Sequence, residues 1–221
     1  MDFSQVDYQD VLIQFVVLLL SLSFHESAHA WSAERLGDHT ARMLGRVSLN
    51  PLVHIDPIGT VLLPLVAMLT GFRFLFGWAK PVPVNLLNLQ NPKRDFMWIA
   101  AAGPISNLIL ASGCLIILWI WRILAGPEPF MIVHPLYSPV LLLLYSGVII
   151  NVVLAFFNLI PIPPLDGSNI LYRFLPIGAA EAYDQIRPYG FVLLMAILWL
   201  GVTDLYFQPI FRVVREILPG P

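Results

Sequence analysis

Long apolar runs set the pattern of this chain and predict most of its elements. Four runs are long enough to cross about 30 Å of hydrocarbon as helices of ~20 residues. They lie at about 11–33, 96–121, 137–160 and 189–207. We therefore expect an all-α polytopic membrane protein, built as one membrane-embedded domain over residues 1–221.

A fifth apolar stretch, from Ile58 to Leu69, is shorter and is interrupted by Pro64. A short or tilted helix and a re-entrant element buried among the other helices both fit the segment 58–78. A full crossing would put the basic residues that follow it, Lys80, Lys93 and Arg94, outside the membrane, against the positive-inside rule. The re-entrant interpretation is therefore the favoured one.

The other basic residues indicate a topology. Arg35, Arg42 and Arg46 follow the first apolar run, whereas the N-terminal residues carry Asp but no Lys or Arg. We expect the protein in the cell membrane. The positive-inside rule then predicts that its N-terminus lies outside and that residues 34–95 lie on the cytoplasmic side. Arg212 and Arg215 near the C-terminus fit this topology poorly.

The composition supports a membrane protein and excludes other classes. Hydrophobic residues make up 58% of the chain and charged residues 12%, against about 25% charged residues in soluble domains. The mean hydropathy is +0.78. The net charge is −2 and no basic run exceeds Lys93-Arg94, so we expect no nucleic-acid partner.

The first apolar run contains His25-Glu26-Ser27-Ala28-His29. On a helix, His25 and His29 lie on one face about one turn apart. Two imidazoles at this spacing can bind one Zn²⁺, with Glu26 placed to act as a base. Ionisable groups inside a membrane span are costly, which favours a functional site facing a protein-lined or water-filled cavity over two hydrogen-bonded structural histidines.

A hydrolytic zinc site needs a third protein ligand. The most suitable residue is Asp166, because three prolines before it stop a helix while the chain is still apolar. The alternative to a role as metal ligand is that Asp166 caps the N-terminus of the following short helix. The weaker candidates are Asp95, Asp204, His54 and Asp56.

Three ordered motifs together resemble the site-2 proteases, which are intramembrane zinc metalloproteases. The motifs are HESAH (His25–His29), AAGPISN (Ala101–Asn107) and NLIPIPPLDG (Asn158–Gly167). The stretches GRVSLNPLVHIDPIG and FGWAKPVPVN are similar to the compact prokaryotic branch of that family, which lacks PDZ and CBS modules. The resemblance covers residues from about 20 to 200.

The resemblance implies one Zn²⁺ per chain. Its metal ligands would be His25, His29 and Asp166, with Glu26 as the catalytic base. Asn158 matches a family asparagine that holds substrate near the metal, and Asn107 matches the family's Gly-Pro-x-x-Asn element. For both asparagines a purely structural interhelical hydrogen bond is the alternative.

Three roles stay open for His54: it could contact a metal ligand, control access to the metal or serve only in a turn. The expected partners of the protein are transmembrane protein substrates and the lipid bilayer. Whether the protein forms a homo-oligomer stays open. Two rival functions remain, a catalytically silent membrane-protein binder and a metal transporter. The intact Glu26 argues against the first rival, and the lack of internal repeats argues against the second.

Overall fold

The computed structural model describes residues 7–70, 77–125 and 138–219, and the regular structure of these residues is helical. The α-helices are α1 (Tyr8–Arg35), α2 (Thr40–Met43), α3 (Leu63–Thr70), α4 (Pro92–Ala125), α5 (Ser138–Asn158), α6 (Asp166–Phe174), α7 (Ile177–Ile186), α8 (Gly190–Trp199) and α9 (Val202–Ile217). Three 3₁₀ turns (Pro51–Val53, Leu86–Asn88 and Arg187–Tyr189) and a π-helical turn (Pro57–Leu62) complete the regular structure of these ranges.

Helices α1, α4 and α5 are long and apolar enough to cross a membrane. Asp7 caps the N-terminus of α1, where its carboxylate accepts hydrogen bonds from the amides of Gln9 and Asp10. A bent pair of helices, Ile177–Trp199 with Val202–Ile217, could supply a fourth crossing. The prediction of an all-α, multi-pass membrane protein is confirmed.

The three long helices form the bundle that positions the site. α4 packs along both α1 and α5, and α1 also packs against α5. The outward side of α4 is a row of exposed isoleucines, which suits contact with lipid; these are Ile105, Ile109, Ile116, Ile117, Ile120 and Ile123. The interior of the bundle nevertheless holds buried polar side chains, including His25, Asn107 and Asn151.

The two ends of the segment 58–78 lie next to each other. The amide of Trp78 donates to the carbonyl of Gly59 over 3.1 Å, and the Thr60 hydroxyl donates to the carbonyl of Trp78 over 2.7 Å. Residues 71–76 of this segment lie outside the described residues. The hydrogen bonds between its two ends are the arrangement expected of a re-entrant element, and the re-entrant course itself stays a prediction.

The apolar run at 189–207 does not form one straight helix. α8 ends at Trp199, and α9 starts at Val202 at an angle of 69° to the preceding helix. Gly201 between them has a φ of +70°, a left-handed conformation that glycine adopts at low cost and that commonly ends helices. The break lets α8 pack beside residues 160–165 while α9 follows α4 and α5.

An extended segment, residues 77–85, lies beside the C-terminal half of α1. Asp38, which follows α1 and is fully buried, holds the end of this segment through the amide of Asn85 at 2.7 Å. The side-chain amide of Asn88 also donates to Asp38, over 2.8 Å. The extended segment is thereby fixed against the helix that carries the His-Glu-x-x-His motif.

Candidate metal centre

His25 and His29 project from one face of α1 towards the interior of the bundle, and both are buried. Their ring centroids lie 4.6 Å apart, with the rings nearly perpendicular. This is the arrangement expected from a spacing of four residues on a helix. The structure therefore brings the two predicted imidazoles together.

Asp166 joins them from a distant part of the sequence. It is the first residue of α6, after the proline-rich turn 161–164 that ends the α5 region. Its Oδ2 lies 3.1 Å from Nε2 of His25 and 3.4 Å from Nε2 of His29. Ligand atoms of these three residues all lie within 4.8 Å of one another, and the described ranges contain no other such group of His, Cys, Asp or Glu.

The outer nitrogens of both imidazoles are bound to oxygen acceptors. Nδ1 of His29 lies 2.7 Å from the carbonyl oxygen of Ile99, which can only accept. Nδ1 of His25 lies 2.6 Å from Oδ1 of Asn107. A neutral imidazole that donates through Nδ1 carries a lone pair on Nε2. Both Nε2 lone pairs are then available on the side that faces Asp166.

These three ligand atoms fit a zinc ion. Oδ2 of Asp166 is buried and has no hydrogen-bond partner, although two imidazole nitrogens lie close to it. Two lone pairs beside a carboxylate oxygen repel each other unless a cation lies among them. Tetrahedral zinc ligands at about 2.0–2.1 Å from the metal are roughly 3.3 Å apart, close to the two nitrogen–oxygen distances seen here. A zinc ion at this position would satisfy the orphaned oxygen and both lone pairs.

Gly103 on α4 provides the space next to the imidazoles. A Cβ atom at this position would lie 2.5 Å from Nε2 of His29 and 2.6 Å from Nε2 of His25. Real Cβ atoms do not approach other atoms this closely, and rings held by α1 cannot easily retreat. The glycine is therefore required by the approach of α4 to the two histidines.

Glu26 lies beside this group and is held by the extended segment. The backbone N–H of Val82 donates to Oε2 of Glu26 over 3.2 Å. Glu26 is half-buried and lines the same cavity as the two histidines and Asp166. Glu26 therefore offers its carboxylate to a molecule that binds in this cavity.

The cavity has a volume of about 800 Å³ and is mostly apolar. It opens between the extended segment, α1, α4, α5 and α8. Its apolar lining includes Leu18, Leu22, Trp78, Val153, Phe157 and Leu194. Pockets of this kind, with a few polar groups among apolar walls, are typical of binding and active sites.

The remaining predicted residues lie around this group. Asn107 contacts His25 directly, as described above. Asn158 lines the cavity, while its side-chain amide donates to the carbonyl of Leu154 over 3.0 Å. His54 is buried behind Ser27 on α1, with Nε2 2.8 Å from the carbonyl of Ser48 and 3.3 Å from the Ser27 hydroxyl. His54 is not one of the three clustered residues.

Two residues of this region were not predicted from the sequence. Val82 contributes only its amide, which no sequence pattern identifies. Asn151 on α5 accepts a hydrogen bond from the Asn107 amide over 2.8 Å. A signal for Asn151 does exist, because an asparagine inside an apolar span is costly, and Asn151 lies seven residues before Asn158, two helical turns away.

Comparisons with known proteins agree with this geometry. The family model of peptidase family M50 matches residues 124–200. YwhC of Bacillus subtilis, a candidate zinc metalloprotease by name, is 34% identical over 209 residues, which cover 91% of this chain and 86% of YwhC. No solved structure matches the chain.

Two mycobacterial proteins named Rip2, also candidate zinc metalloproteases by name, match as well. The Mycolicibacterium smegmatis protein is 30% identical over 86% of this chain and 67% of its own length. The Mycobacterium tuberculosis protein is 29% identical over 84% of this chain and 65% of its own length. The resemblance inferred from the sequence motifs is confirmed: this chain belongs to peptidase family M50, the site-2 protease family, and is a zinc metalloprotease.

Proposed function

We propose that this protein is an intramembrane endopeptidase, which hydrolyses peptide bonds within or next to the transmembrane segments of other proteins. The observation that carries the proposal is the position of the His25, His29 and Asp166 cluster. It lies, with Glu26, in an apolar cavity inside a bundle of membrane-spanning helices. A mostly apolar cavity in this position suits an apolar peptide from a transmembrane segment.

His25, His29 and Asp166 would hold one Zn²⁺ per chain. When bound, zinc supplies Lewis acidity, which activates a water molecule as the nucleophile and polarises the scissile carbonyl. The contacts of His25 with Asn107 and of His29 with Ile99 keep both Nε2 atoms free of protons and correctly aimed. Asp166 would supply one negative charge, which offsets half of the charge of the cation.

Glu26 would act as the catalytic base. It accepts the proton of the attacking water and delivers it to the amine that leaves when the peptide bond breaks. The hydrogen bond from Val82 supports this role, because it holds the carboxylate beside the clustered ligands instead of letting it turn away. Loss of such a base commonly costs a factor of about 10² to 10⁴ in rate.

The substrate has to be unwound at the cleaved bond, because a helix hides its peptide groups in hydrogen bonds. The extended segment 77–85 and Asn158 both line the cavity and offer polar groups to an extended peptide. Asn158 would hold the substrate backbone near the metal through its side-chain amide. Segments with Gly, Pro or Asn are the expected cleavage regions, since they weaken helices.

We further propose that the active site lies near the cytoplasmic face of the cell membrane, with the N-terminus outside. The C-terminal end of α1 lies beside the N-terminal part of α4, since Ala33 and Ile99 belong to one buried cluster. α6 lies at the same end, since Lys93 is 5.1 Å from the ring of Tyr172. This end carries Arg35, Arg42, Arg46, Lys93 and Arg94. The clustering of basic residues there supports the orientation.

The test is cleavage of a transmembrane substrate by the purified full chain in liposomes. Wild type should cleave, should contain one zinc per chain and should lose activity with a chelator. Glu26→Gln should keep its zinc and lose at least about 100-fold in kcat. The matched control is Glu34→Gln, the same change on the same helix at a residue paired with Arg42, which should keep its activity.

Cleavage that persists in Glu26→Gln or in the zinc-free protein would refute the mechanism. Zinc passage into the liposomes without cleavage would instead indicate a transporter. Binding of the substrate without cleavage by the zinc-loaded wild type would indicate a catalytically silent binder. Each result separates the proposal from one rival.

A further inference from the structure

We propose that Asn151 is a positioning residue of the metal centre, because it fixes the orientation of the Asn107 amide and thereby the tautomer of His25. The inference rests on the proposed function in that it takes His25 as a zinc ligand. Asn151 itself touches no metal ligand. It lies on α5, is 3% exposed and is linked to His25 through Asn107.

The direction of each hydrogen bond follows from a backbone carbonyl at the far end. The Asn151 side-chain nitrogen lies 2.8 Å from the carbonyl oxygen of Gly147, which can only accept. The side-chain oxygen of Asn151 therefore faces Asn107. Since this oxygen accepts from the Asn107 nitrogen over 2.8 Å, the Asn107 oxygen is left to face His25.

The last link sets the state of the imidazole. The Asn107 oxygen lies 2.6 Å from Nδ1 of His25, so Nδ1 carries the proton and Nε2 carries the lone pair. If the Asn107 amide were rotated by half a turn, its nitrogen would face Nδ1. The proton would then belong on Nε2, which points at the metal position, and coordination would be blocked.

Asn151 is the stronger of two groups that hold Asn107 in this orientation. The other is the carbonyl oxygen of Ser21, which lies 3.3 Å from the Asn107 nitrogen. A bond of this length is weaker than one of 2.8 Å. Removal of Asn151 should therefore reduce the preference for the correct amide orientation without abolishing it. Asn158 on the same helix cannot substitute, because its nitrogen bonds to its own helix.

The apolar surroundings favour a single orientation of the two asparagine side chains. Asn107 is fully buried and Asn151 nearly so, inside a bundle whose other contacts are mostly apolar. A half-satisfied polar network in such a place is more costly than an apolar contact. Here the side-chain nitrogen and the side-chain oxygen of each asparagine both have a hydrogen-bond partner.

The test measures zinc affinity and is independent of proteolysis. Purified full-length Asn151→Leu should bind zinc about tenfold more weakly than wild type in competition with a chromogenic chelator, the lower end of the range for groups that support a ligand. The visible spectrum of the Co²⁺-loaded protein should also change, since the His25 ligand is less well ordered. A merely structural helix contact would leave both readouts unchanged.

Asn151→Asp is the conservative variant. Its carboxyl group keeps an oxygen acceptor opposite Asn107 in either protonation state, so zinc affinity should stay close to that of wild type. Ser146→Ala, which removes a buried polar side chain from the same helix, is the control and should bind zinc normally. Should Asn151→Leu fail to fold, Asn151→Ala provides the same comparison with Asn151→Asp.

Wild-type zinc affinity in the folded Leu or Ala variant would overturn the proposal, as would equal losses in Asn151→Asp and Asn151→Leu. Neither result would argue against the proposed protease function, which fails only if the wild type binds no zinc or cleaves no substrate. Normal cleavage by wild type together with unaltered zinc binding by Asn151→Leu would therefore reject this inference alone.

Discussion

The backbone N–H of Val82 lies 3.2 Å from Oε2 of Glu26, which ties the extended segment to the proposed catalytic base. Val82 stands between Pro81 and Pro83, and proline has no N–H. Within this triplet Val82 therefore carries the single amide donor, and that donor is given to Glu26. The flanking prolines also restrict the backbone to an extended form, so the donor is held in place.

Replacement of Val82 by proline should remove this donor while keeping the extended backbone. A hydrogen bond to a charged group contributes about 1.5–3 kcal/mol, so Val82→Pro should lower kcat by about tenfold or more. Zinc content should not change, because Val82 does not contact the three clustered residues. The control is Val82→Ala, which keeps the N–H and should retain most of the activity. Equal losses in the two variants would show that the side chain matters and the amide does not.

A methyl group at position 103 should destroy the metal site. In Gly103→Ala the new Cβ would overlap both imidazoles, so we expect zinc affinity to fall by more than about 100-fold, beyond the usual effect of outer groups. Gly113→Ala is the matched control on the same helix, since nothing lies within 4 Å of its Cβ position. That control should bind zinc normally and gain up to about 1 kcal/mol in stability. Metal content measured after purification checks both, and zinc-replete Gly103→Ala would contradict the geometry.

Asp38 should make stability depend on pH in a predictable window. Burial opposes the charge of Asp38, but hydrogen bonds from Thr40, Asn88 and the Asn85 amide outweigh it, so its pKa lies below the ordinary value. A lowered pKa stabilises the fold above the unfolded-state pKa of about 3.9, and this stabilisation is lost as the pH falls through the folded-state pKa.

Asp38→Asn should therefore cost about 2 kcal/mol at pH 7, or roughly 4–8 °C in Tm. The difference in Tm between wild type and variant should persist down to about pH 4 and shrink below it. Thermal unfolding in detergent at several pH values measures this. A difference that already disappears between pH 7 and pH 5 would assign the effect to another group.

Replacement of Asn158 should weaken substrate binding without changing the zinc affinity. Its nitrogen bonds to Leu154 while its side chain borders the cavity, so Asn158→Leu should raise KM for a transmembrane substrate about tenfold, the effect of one or two lost hydrogen bonds. Zinc affinity should equal that of wild type. Steady-state cleavage and metal titration on one preparation distinguish this behaviour from that of Asn151→Leu. Weaker zinc binding in Asn158→Leu would place this residue with the metal ligands.

The sequence allowed the frame of the fold and the clustered residues to be predicted. The apolar runs identified α1, α4 and α5 because membrane helices carry a strong local signal, and the proline-rich turn before Asp166 marked where the chain stops being helical. The break at Gly201, between α8 and α9, was missed, although a glycine after an apolar helix is a common stop signal. There the continuing apolar pattern on both sides concealed the break.

The partners of the site could not be predicted in the same way. Asn151 meets Asn107 across 44 positions of sequence, and Val82 meets Glu26 across 56. Such contacts depend on how helices and loops pack, and a backbone amide is present at almost every position. The residue types that bind a metal are rare inside a membrane, whereas the groups that orient them are not.

The clustered ligands come from distant parts of the chain, since His25 and His29 belong to α1 and Asp166 begins α6. A metal ion shared by them is therefore a cross-link between the N-terminal and C-terminal portions of the protein. Without the ion, the two portions would lose the ligand bonds that join them at this site. Zinc binding would then add to the free energy of folding, so the supply of metal would affect the stability of the protein as well as its activity.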